Sequence, residues 1–264
     1  MSGVVIALLT VGCLGLFIGL FLGIASIKFK VDVDEREELV EAALPGNNCG
    51  GCGYPGCSGL AHAIVIGEAP VNQCPVGGDS VAEKISAIMG TENVKSEKMV
   101  AFVACQGDKT RTTLNYEYTG TNDCLMASFV PGKGPKSCEH GCTGFGNCVR
   151  ACEFDAIHIV DGIAVVDKDK CKACGKCIEA CPKKLISLIP YSAKYAVACS
   201  SPDAGVIARK KCQTACIGCS LCARNCPHDA VKVENNKAVI DQTLCQNCGT
   251  CVLKCPQNSI VEFK

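Results

Sequence analysis

The residues of this chain most able to do chemistry are its cysteines, of which there are 25 among 264 residues. Two runs, Cys171 to Pro182 and Cys245 to Pro256, share the spacing Cys-x2-Cys-x2-Cys-x3-Cys-Pro. In such a run three thiolates on one tight loop occupy three corners of a cubane, and the thiolate before the proline ligates the partner cluster. The spacing therefore predicts [4Fe–4S] clusters held in pairs with crossed ligands.

A duplication surrounds these runs. Cys138-x3-Cys142-x5-Cys148-x3-Cys152 has the spacing of Cys212-x3-Cys216-x5-Cys222-x3-Cys226, and each set precedes one Cys-Pro run. Each repeat is typical of a compact ferredoxin unit, with a short strand pair around a polar turn and a helix after the third Cys.

The crossed rule assigns four clusters. It predicts the ligand sets Cys216, Cys219, Cys222 and Cys255; Cys245, Cys248, Cys251 and Cys226; Cys171, Cys174, Cys177 and Cys152; and Cys138, Cys142, Cys148 and Cys181. In the last set Phe145 occupies the position of Cys219, so Cys138 is expected to replace the missing middle ligand.

A fifth set precedes the repeats. Cys49, Cys52 and Cys57 lie close together among glycines, and Cys74 is followed by a proline. Zinc is the competing metal, but structural zinc sites generally have two separated Cys pairs, so a [4Fe–4S] cluster is favoured.

The remaining cysteines leave alternatives open. Cys105, Cys124, Cys199 and Cys212 could bind a sixth cluster, or they could be buried thiols, since Cys105 and Cys199 hold equivalent repeat positions. Cys13 and the four histidines, His62, His140, His158 and His228, are expected to have no ligand role. Lysines near the motifs, Lys136 and Lys183 among them, could steer an acidic partner or form an ordinary solvated surface.

Other functional classes find little support. The formal net charge is zero, which argues against nucleic-acid binding. The chain has neither a Walker motif nor a complete dinucleotide fingerprint at Gly144, and no catalytic constellation is expected. Trp is absent, so bound metal is expected to supply stability that a large aromatic core would otherwise give.

The amino-terminal segment is apolar. Val4 to Ile27 carries no charge and is long enough to cross a membrane as a helix, while Lys28 and Lys30 follow it and predict a cytoplasmic carboxyl-terminal part. A cytoplasmic location disfavours disulfides. Gly15, Gly19 and Gly23 could receive a second helix, or could reflect ordinary glycine usage in such spans. The charged segment from Val31 to Glu41 is predicted to be a helical linker.

These observations predict an α+β chain with one transmembrane helix, a small iron–sulfur domain and tandem bacterial-type ferredoxin-like domains. The expected boundaries are 1–30 for the anchor, 31–90 for the amino-terminal cluster domain, 98–190 for the first ferredoxin-like unit and 191–264 for the second.

The order of an uncharged span, the Cys49 to Cys74 group and ferredoxin-like units resembles the B subunit of the Rnf complex. That resemblance implies an electron-transfer subunit of a membrane-bound, ion-translocating ferredoxin:NAD⁺ oxidoreductase. It implies soluble ferredoxin as donor and the A, C, D, E and G subunits as partners, with nicotinamide and FMN on C and further flavins on D and G. The second ferredoxin-like unit resembles the longer versions in anaerobes, and the coupling ion, Na⁺ or H⁺, stays open.

Two alternative functions are considered, of which the first belongs to the same electron-transfer class and the second does not. The chain could be a membrane-tethered polyferredoxin of a hydrogenase or another dehydrogenase complex, against which the Cys49 to Cys74 group argues. It could also be a non-redox interaction protein held together by zinc, which would be colourless, whereas cubanes absorb visible light.

Overall fold

The computed structural model describes residues 2–28, 34–92 and 97–263. Helix α1, Ser2–Lys28, is followed in the described part of the chain by three helices of the amino-terminal domain and then by two ferredoxin-like units. Within α1 the segment Leu8–Ser26 has a mean hydropathy of 2.4 and buries nothing against the rest of the chain. In length and composition it can cross a membrane, as the uncharged sequence predicts.

The amino-terminal domain consists of α2 (Glu35–Ala43), α3 (Gly56–Val65) and α4 (Gly78–Met89). The Asp34 carboxylate accepts the Arg36 N–H at 2.9 Å and caps α2, and Gly90 ends α4 with a left-handed φ of 66°. Val40, Leu60 and Ile85 from the three helices are fully buried together. The three helices therefore share one small core.

This core corrects the predicted linker. Residues 31–33 lie outside the described residues, but α2 packs against α3 and α4 rather than standing apart as a stalk. Val40 is completely buried, and Leu44 after the helix is nearly so. The charged residues of α2 lie on its outer face, which is the pattern of any surface helix over a core.

The first ferredoxin-like unit pairs its outer strands and its inner strands separately. Strand β1 (Met99–Val103) runs antiparallel to β4 (Ile186–Pro190), and β2 (Ile157–Val160) to β3 (Ile163–Val166). Between the strands stand the single-turn helices α6 (Asn147–Arg150) and α7 (Lys176–Glu179). The first and last strands of the unit are thus neighbours, which closes it.

The second unit repeats this plan. Strand β5 (Tyr195–Val197) pairs with β8 (Ile260–Glu262), β6 (Val231–Glu234) with β7 (Lys237–Ile240), and the single-turn helices are α9 (Leu221–Arg224) and α10 (Thr250–Leu253). In both units each short helix follows a residue with left-handed backbone and buries the third Cys of its motif. The start of each short helix therefore determines where the third Cys of its motif lies.

The units differ in the segment after their first strand. In the first unit residues 106–137 carry α5 (Cys124–Ala127) and a 3₁₀ turn (Pro131–Lys133), whereas the second unit has a shorter segment that carries helix α8 (Gly205–Lys211). We call residues 106–137 the insertion. Its Thr112 forms an isolated β-bridge with Cys212 of the second unit.

The two units form one packed body. Ala196 and Ala198 of the second unit are buried in the core of the first, and the Phe263 ring meets Phe102 edge-on with centroids 5.4 Å apart. Ser200 Oγ also donates to the Ala104 carbonyl at 2.9 Å. Contacts of this kind fix the distance between the cysteines of one unit and those of the other.

We expect Gly144→Ala to destabilise the first unit by about 2–4 kcal/mol, because Gly144 has a φ of 86° and a Cβ there would lie 2.3 Å from the Gly162 carbonyl oxygen. Gly132→Ala is the matched control, since Gly132 has a φ of 70° with nothing near its added Cβ, and should lose about 1 kcal/mol. Anaerobic urea titrations followed by circular dichroism compare the two. Equal losses would contradict the close approach of Gly144 to the β2–β3 turn.

Candidate metal centres

Four cavities are each lined by four thiols. Their thiols are Cys152, Cys171, Cys174 and Cys177 (first-unit group); Cys124, Cys142, Cys148 and Cys181 (insertion group); Cys105, Cys138, Cys199 and Cys212 (bridging group); and Cys216, Cys219, Cys222 and Cys255 (second-unit group). Their common donor set indicates a common kind of occupant.

The donor geometry suits a cluster better than a single ion. Within residues 2–28, 34–92 and 97–263 no three Cys, His, Asp or Glu side chains converge tightly enough to hold one metal ion. A zinc ion would draw four thiolates to about 2.3 Å from one point. A cubane instead has an iron at each of four corners, so its thiolates stand apart around a larger volume. Thiols spread around a cavity fit that requirement.

The first-unit and second-unit groups bring together the ligands that the crossed rule predicts. Backbone amides point at their sulfurs: Ala101 N–H donates to Cys171 Sγ at 3.3 Å, and Ala238 N–H to Cys216 Sγ at 3.3 Å. The Cys-Pro thiol of the second unit receives the Ser259 N–H in the same way. Such hydrogen bonds stabilise thiolate charge and tune the potential of a cluster.

The insertion group differs from the set predicted around Cys138. The structure places Cys124, from α5 of the insertion, beside Cys142, Cys148 and Cys181, and it places Cys138 elsewhere. The position left without a Cys is filled by Phe145, whose ring stacks on Tyr118 of the insertion at 5.1 Å between centroids. The insertion therefore supplies both the missing thiol and the packing for the aromatic side chain that stands in its place.

A hydrogen-bonded network holds Cys124 in this position. The Asp123 carboxylate caps α5 by accepting the Leu125 and Met126 N–H groups. Asn147 at the start of α6 accepts the Cys124 N–H at 2.9 Å and donates to Asp123 at 2.9 Å. Spacing alone did not predict this set because Cys124 lies 18 residues before Cys142 and 57 residues before Cys181.

The bridging group takes two thiols from each unit, Cys105 and Cys138 from the first and Cys199 and Cys212 from the second. Glycines let the chain approach these sulfurs: a Cβ on Gly141 would lie 3.5 Å from both Cys105 Sγ and Cys138 Sγ. The Gly107 and Cys142 amides donate to Cys105 Sγ at 3.4 and 3.3 Å. The site thus has the amide-rich lining of the other groups.

The repeat itself carried a signal for this set. Cys105 corresponds to Cys199, and Cys138 corresponds to Cys212, so the bridging group consists of two equivalent pairs. In the second unit the spacing rule assigns neither Cys199 nor Cys212 to a cluster. Applied to the equivalent positions of the first unit, it leaves Cys105 and Cys138 unassigned as well.

The N-terminal group consists of Cys49 and Cys52 on the loop before α3, Cys57 in its first turn and Cys74 after it. Asn48 Oδ1 accepts the Cys57 N–H at 2.7 Å, and the Gly77 N–H donates to Cys74 Sγ at 3.4 Å. Burial raises the pKa of Cys74, with a smaller contribution from the charges of Cys52 and Cys57. These three thiols are therefore close neighbours.

The terminal group, Cys226, Cys245, Cys248 and Cys251, is the most open one. Burial, and next the charge of Cys245, raise the pKa of Cys251 to about 11. Cys248 is exposed, and hydrogen bonds to Thr250 lower the pKa of its thiol. Leu253, on the same short helix as Cys251, is 87% exposed. One edge of this group therefore faces solvent.

Thiols of different groups lie close enough for their charges to interact. Cys174 of the first-unit group interacts with Cys49, and Cys148 of the insertion group with Cys177. Cys105 of the bridging group interacts with Cys142, whose N–H also donates to Cys105 Sγ. Cys199 interacts with Cys216, and Cys251 with Cys222. These interactions connect the groups in the order N-terminal, first-unit, insertion, bridging, second-unit and terminal.

The first step of this line depends on a close backbone contact. A Cβ on Gly51, between Cys49 and Cys52, would lie 2.7 Å from the Cys174 carbonyl oxygen. Only glycine allows the N-terminal loop to approach the first-unit loop so closely. The loop of one predicted cluster thus touches the loop of the next.

Three of the buried or half-buried thiols have strongly raised pKa values. Burial, with neighbouring thiolates as a smaller cause, raises the pKa values of Cys148 and Cys177 to about 12, and burial raises that of Cys199 to about 11. Metal binding must displace these protons, so assembly releases protons and is coupled to folding.

Two lysines lie among the central thiols. Lys136 is 5% exposed, lines the bridging cavity and donates from Nζ to the Gly107 and Gly162 carbonyls at 2.9 and 2.8 Å. Lys183 lines the insertion cavity and donates to the Gly141 carbonyl at 2.8 Å. Burial lowers the pKa of both lysines, and nearby thiolates oppose that shift. Lys136 is therefore an interior residue and not part of the solvated surface.

Three of the histidines pair with carboxylates. His62 Nδ1 lies 3.2 Å from Glu37, His140 3.6 Å from Asp203 and His158 3.8 Å from Asp155. His140 also lines the bridging cavity, where four thiols are already present.

Comparison with protein families identifies iron–sulfur domains along the chain. Residues 44–76 match a family described as "Putative Fe-S cluster", residues 164–187 a "4Fe-4S binding domain" and residues 215–259 a "4Fe-4S dicluster domain". The matched segments contain most of the N-terminal, first-unit, second-unit and terminal groups.

The chain is similar to three curated proteins over most of its length. It is 47% identical to the B subunit of the Na⁺-translocating ferredoxin:NAD⁺ oxidoreductase complex of Acetobacterium woodii, over 87% of this chain and 69% of the relative. It is 44% identical to the B subunit of the ion-translocating oxidoreductase complex of Methanosarcina acetivorans, over 87% of each. A proton-translocating counterpart from Clostridium ljungdahlii is 42% identical over 92% of this chain and 86% of the relative.

Iron contents of paired variants will test the ligand sets. If Cys124 and Cys148 hold one cluster, Cys124→Ser, Cys148→Ser and the double variant should each keep about 20 of about 24 irons. If Cys138 belongs to another cluster, Cys138→Ser combined with Cys148→Ser should keep only about 16. Iron per chain is measured after anaerobic purification, with Cys13→Ser as a control outside every group. A Cys138/Cys148 double variant with about 20 irons would restore the set expected from spacing.

Proposed function

Because this chain belongs to the family of B subunits of the Rnf complex, we propose that it relays electrons through six [4Fe–4S] clusters held by the six cysteine groups. Electron transfer through clusters is the function of the family, and the chain carries the ferredoxin-type domains for it. The proposal adds the number of clusters, their ligands and their order.

The observation that carries the proposal is the continuous line of groups. Each group has a thiol beside a thiol of the next, from Cys49 and Cys174 at one end to Cys222 and Cys251 at the other. The bridging group connects the insertion group of the first unit with the second-unit group. Through it the relay passes from one ferredoxin-like unit to the other.

The chain's own residues hold and insulate this relay. The thiolates would hold the irons, and amide N–H groups would stabilise the thiolate charge; the third Cys of each motif, on a short helix, is buried. The clusters, when bound, supply one-electron redox chemistry. No side chain has to accept or donate a proton for an electron to pass.

The direction of flow follows from the two ends. The N-terminal group stands next in the chain to the membrane anchor, whereas the terminal group exposes Cys248 to solvent. A soluble donor can reach the exposed end, and membrane subunits can reach the anchored one. We therefore propose that reduced ferredoxin donates at the terminal group and that electrons leave near the anchor toward the A, C, D, E and G subunits. On this proposal the cluster domains lie on the cytoplasmic side, as Lys28 and Lys30 predict.

The two alternative functions fare differently. A tethered polyferredoxin of a hydrogenase would use the same wire, but the similarity over 87–92% of the chain to named B subunits favours the Rnf complex. A zinc-stabilised interaction protein would need thiols drawn to one point, and the described residues offer no such convergence.

The relay is tested by reducing the full-length chain, purified anaerobically in detergent, with an excess of reduced ferredoxin. We expect about 24 irons per chain and bleaching of visible absorbance in every cluster, because electrons equilibrate along an unbroken line. In Cys199→Ser, which opens the bridging group, only the second-unit and terminal clusters should be reduced quickly, as followed by rapid-freeze EPR.

Cys13→Ser again serves as the control, since it lies in α1 away from the groups. Stoichiometric zinc with little iron would overturn the relay altogether. Equally fast reduction of all remaining clusters in Cys199→Ser would overturn the linear order.

A further inference from the structure

The two lysines at the centre of the line have no carboxylate in direct contact. Among the described ion pairs neither Lys136 nor Lys183 has an acidic partner within salt-bridge distance. Asp108 lies within electrostatic reach of Lys136, but its oxygens accept hydrogen bonds from Thr110 and Arg111. Both ammonium groups are held by neutral backbone carbonyls instead. A cation in a buried site needs a counter-charge.

The thiols Cys105, Cys138 and Cys142 interact electrostatically with both lysines. For Lys136 the largest of these contributions come from Cys105 and Cys142, and Asp108 contributes more than Cys138. Cys142 belongs to the insertion group and the other two thiols to the bridging group, so the ammonium pair lies where these groups meet. Their positions are fixed, because Lys136 also forms a β-bridge through Leu114 and both Nζ atoms are hydrogen-bonded.

The second unit lacks this arrangement at equivalent positions. Lys210 precedes Cys212 by two residues, as Lys136 precedes Cys138, but Lys210 is exposed. Gln257 follows Pro256 as Lys183 follows Pro182, and it is uncharged. The duplication therefore contains its own comparison, in which the first unit, unlike the second at these two positions, places one buried and one half-buried lysine beside its cysteine groups.

We propose that Lys136 and Lys183 raise the reduction potentials of the bridging and insertion clusters above those of the other four. Reduction adds one electron and one negative charge to a cluster, and a fixed cation nearby stabilises that added charge. The partial burial of the site strengthens the effect because water screens it poorly.

This inference rests on the proposed relay and adds a function to its centre. An electron that enters from either end loses energy on reaching the two central clusters and rests there. The neighbouring cluster that gave the electron is oxidised as the central one is reduced, and no proton moves. The middle of the line would thus store electrons arriving singly until an acceptor at the other end is ready.

The test is a potentiometric titration of the full-length chain monitored by EPR. The bridging and insertion clusters are identified as the signals absent from Cys212→Ser and Cys124→Ser. In Lys136→Met the reduction equilibrium constants of these two clusters should fall at least tenfold, a shift of 59 mV for one electron. The other four clusters should keep their potentials.

Three further variants separate charge from structure. Lys136→Arg keeps the charge and should retain the wild-type potentials, whereas Lys183→Gln, which introduces the residue of the second unit, should lower them as Lys136→Met does. Lys210→Met removes an exposed charge from the equivalent position. It should change the reduction equilibrium constant of each cluster by no more than threefold.

Several outcomes would overturn the proposal. It fails if Lys136→Met and Lys183→Gln keep about 24 irons but leave both central potentials unchanged, or if Lys136→Arg shifts them as far as Lys136→Met does. If Lys136→Met loses the bridging iron, Lys183→Gln decides alone through the insertion cluster. A chain that holds zinc instead of iron would refute the relay itself, so failure of the relay and failure of its central electron store give different results.

Discussion

Each cubane must receive four thiolates, and neither ferredoxin-like unit can supply four from one short loop. The Cys-Pro thiols Cys181 and Cys255 reach across their units to the opposite motif. Each of these ligations ties the two halves of a unit together at its centre. Apolar packing is modest by comparison, since the largest fully buried side chains are a few leucine, isoleucine and valine residues. This crossed ligation between the two halves of a unit is thus the constraint from which strand pairing, short helices and loop glycines follow.

That constraint explains why spacing predicted some sites and not others. The second-unit group could be predicted because its first three thiols lie within one loop and the fourth has a proline marker. Cys124 could not, because its place depends on Asn147 and Asp123, which meet only after the insertion folds over the first unit. The helix α2 was mistaken for a linker for a similar reason. Its charges are visible in the sequence, whereas the burial of Val40 depends on α3 and α4.

Repeat equivalence is a stronger guide than spacing where the two disagree. The spacing rule assigned Cys138 as the ligand that is missing where Phe145 stands. Repeat equivalence instead pairs Cys138 with Cys212 and Cys105 with Cys199. Two units related by such equivalence can each contribute the same pair of thiols to a shared site, as protomers do across a symmetric interface. The strand-end thiols and the thiols before each motif then form one group. Packing of Ala196, Ala198 and Phe263 against the first unit brings the pairs within reach of each other.

The insertion breaks this equivalence, and it does so on one side of the shared group only. It supplies Cys124 and the buried Lys136, whereas Lys210, the equivalent of Lys136 in α8, is exposed. A wire made of two identical units would have the same potentials on either side of its centre and would give electrons no reason to favour one side. Asymmetric charge beside a symmetric set of thiolates therefore makes the first-unit side of the shared group the lower-energy site for an electron. An electron that arrives from a soluble donor thus passes the shared group and waits on the side that leads toward the anchored end of the chain.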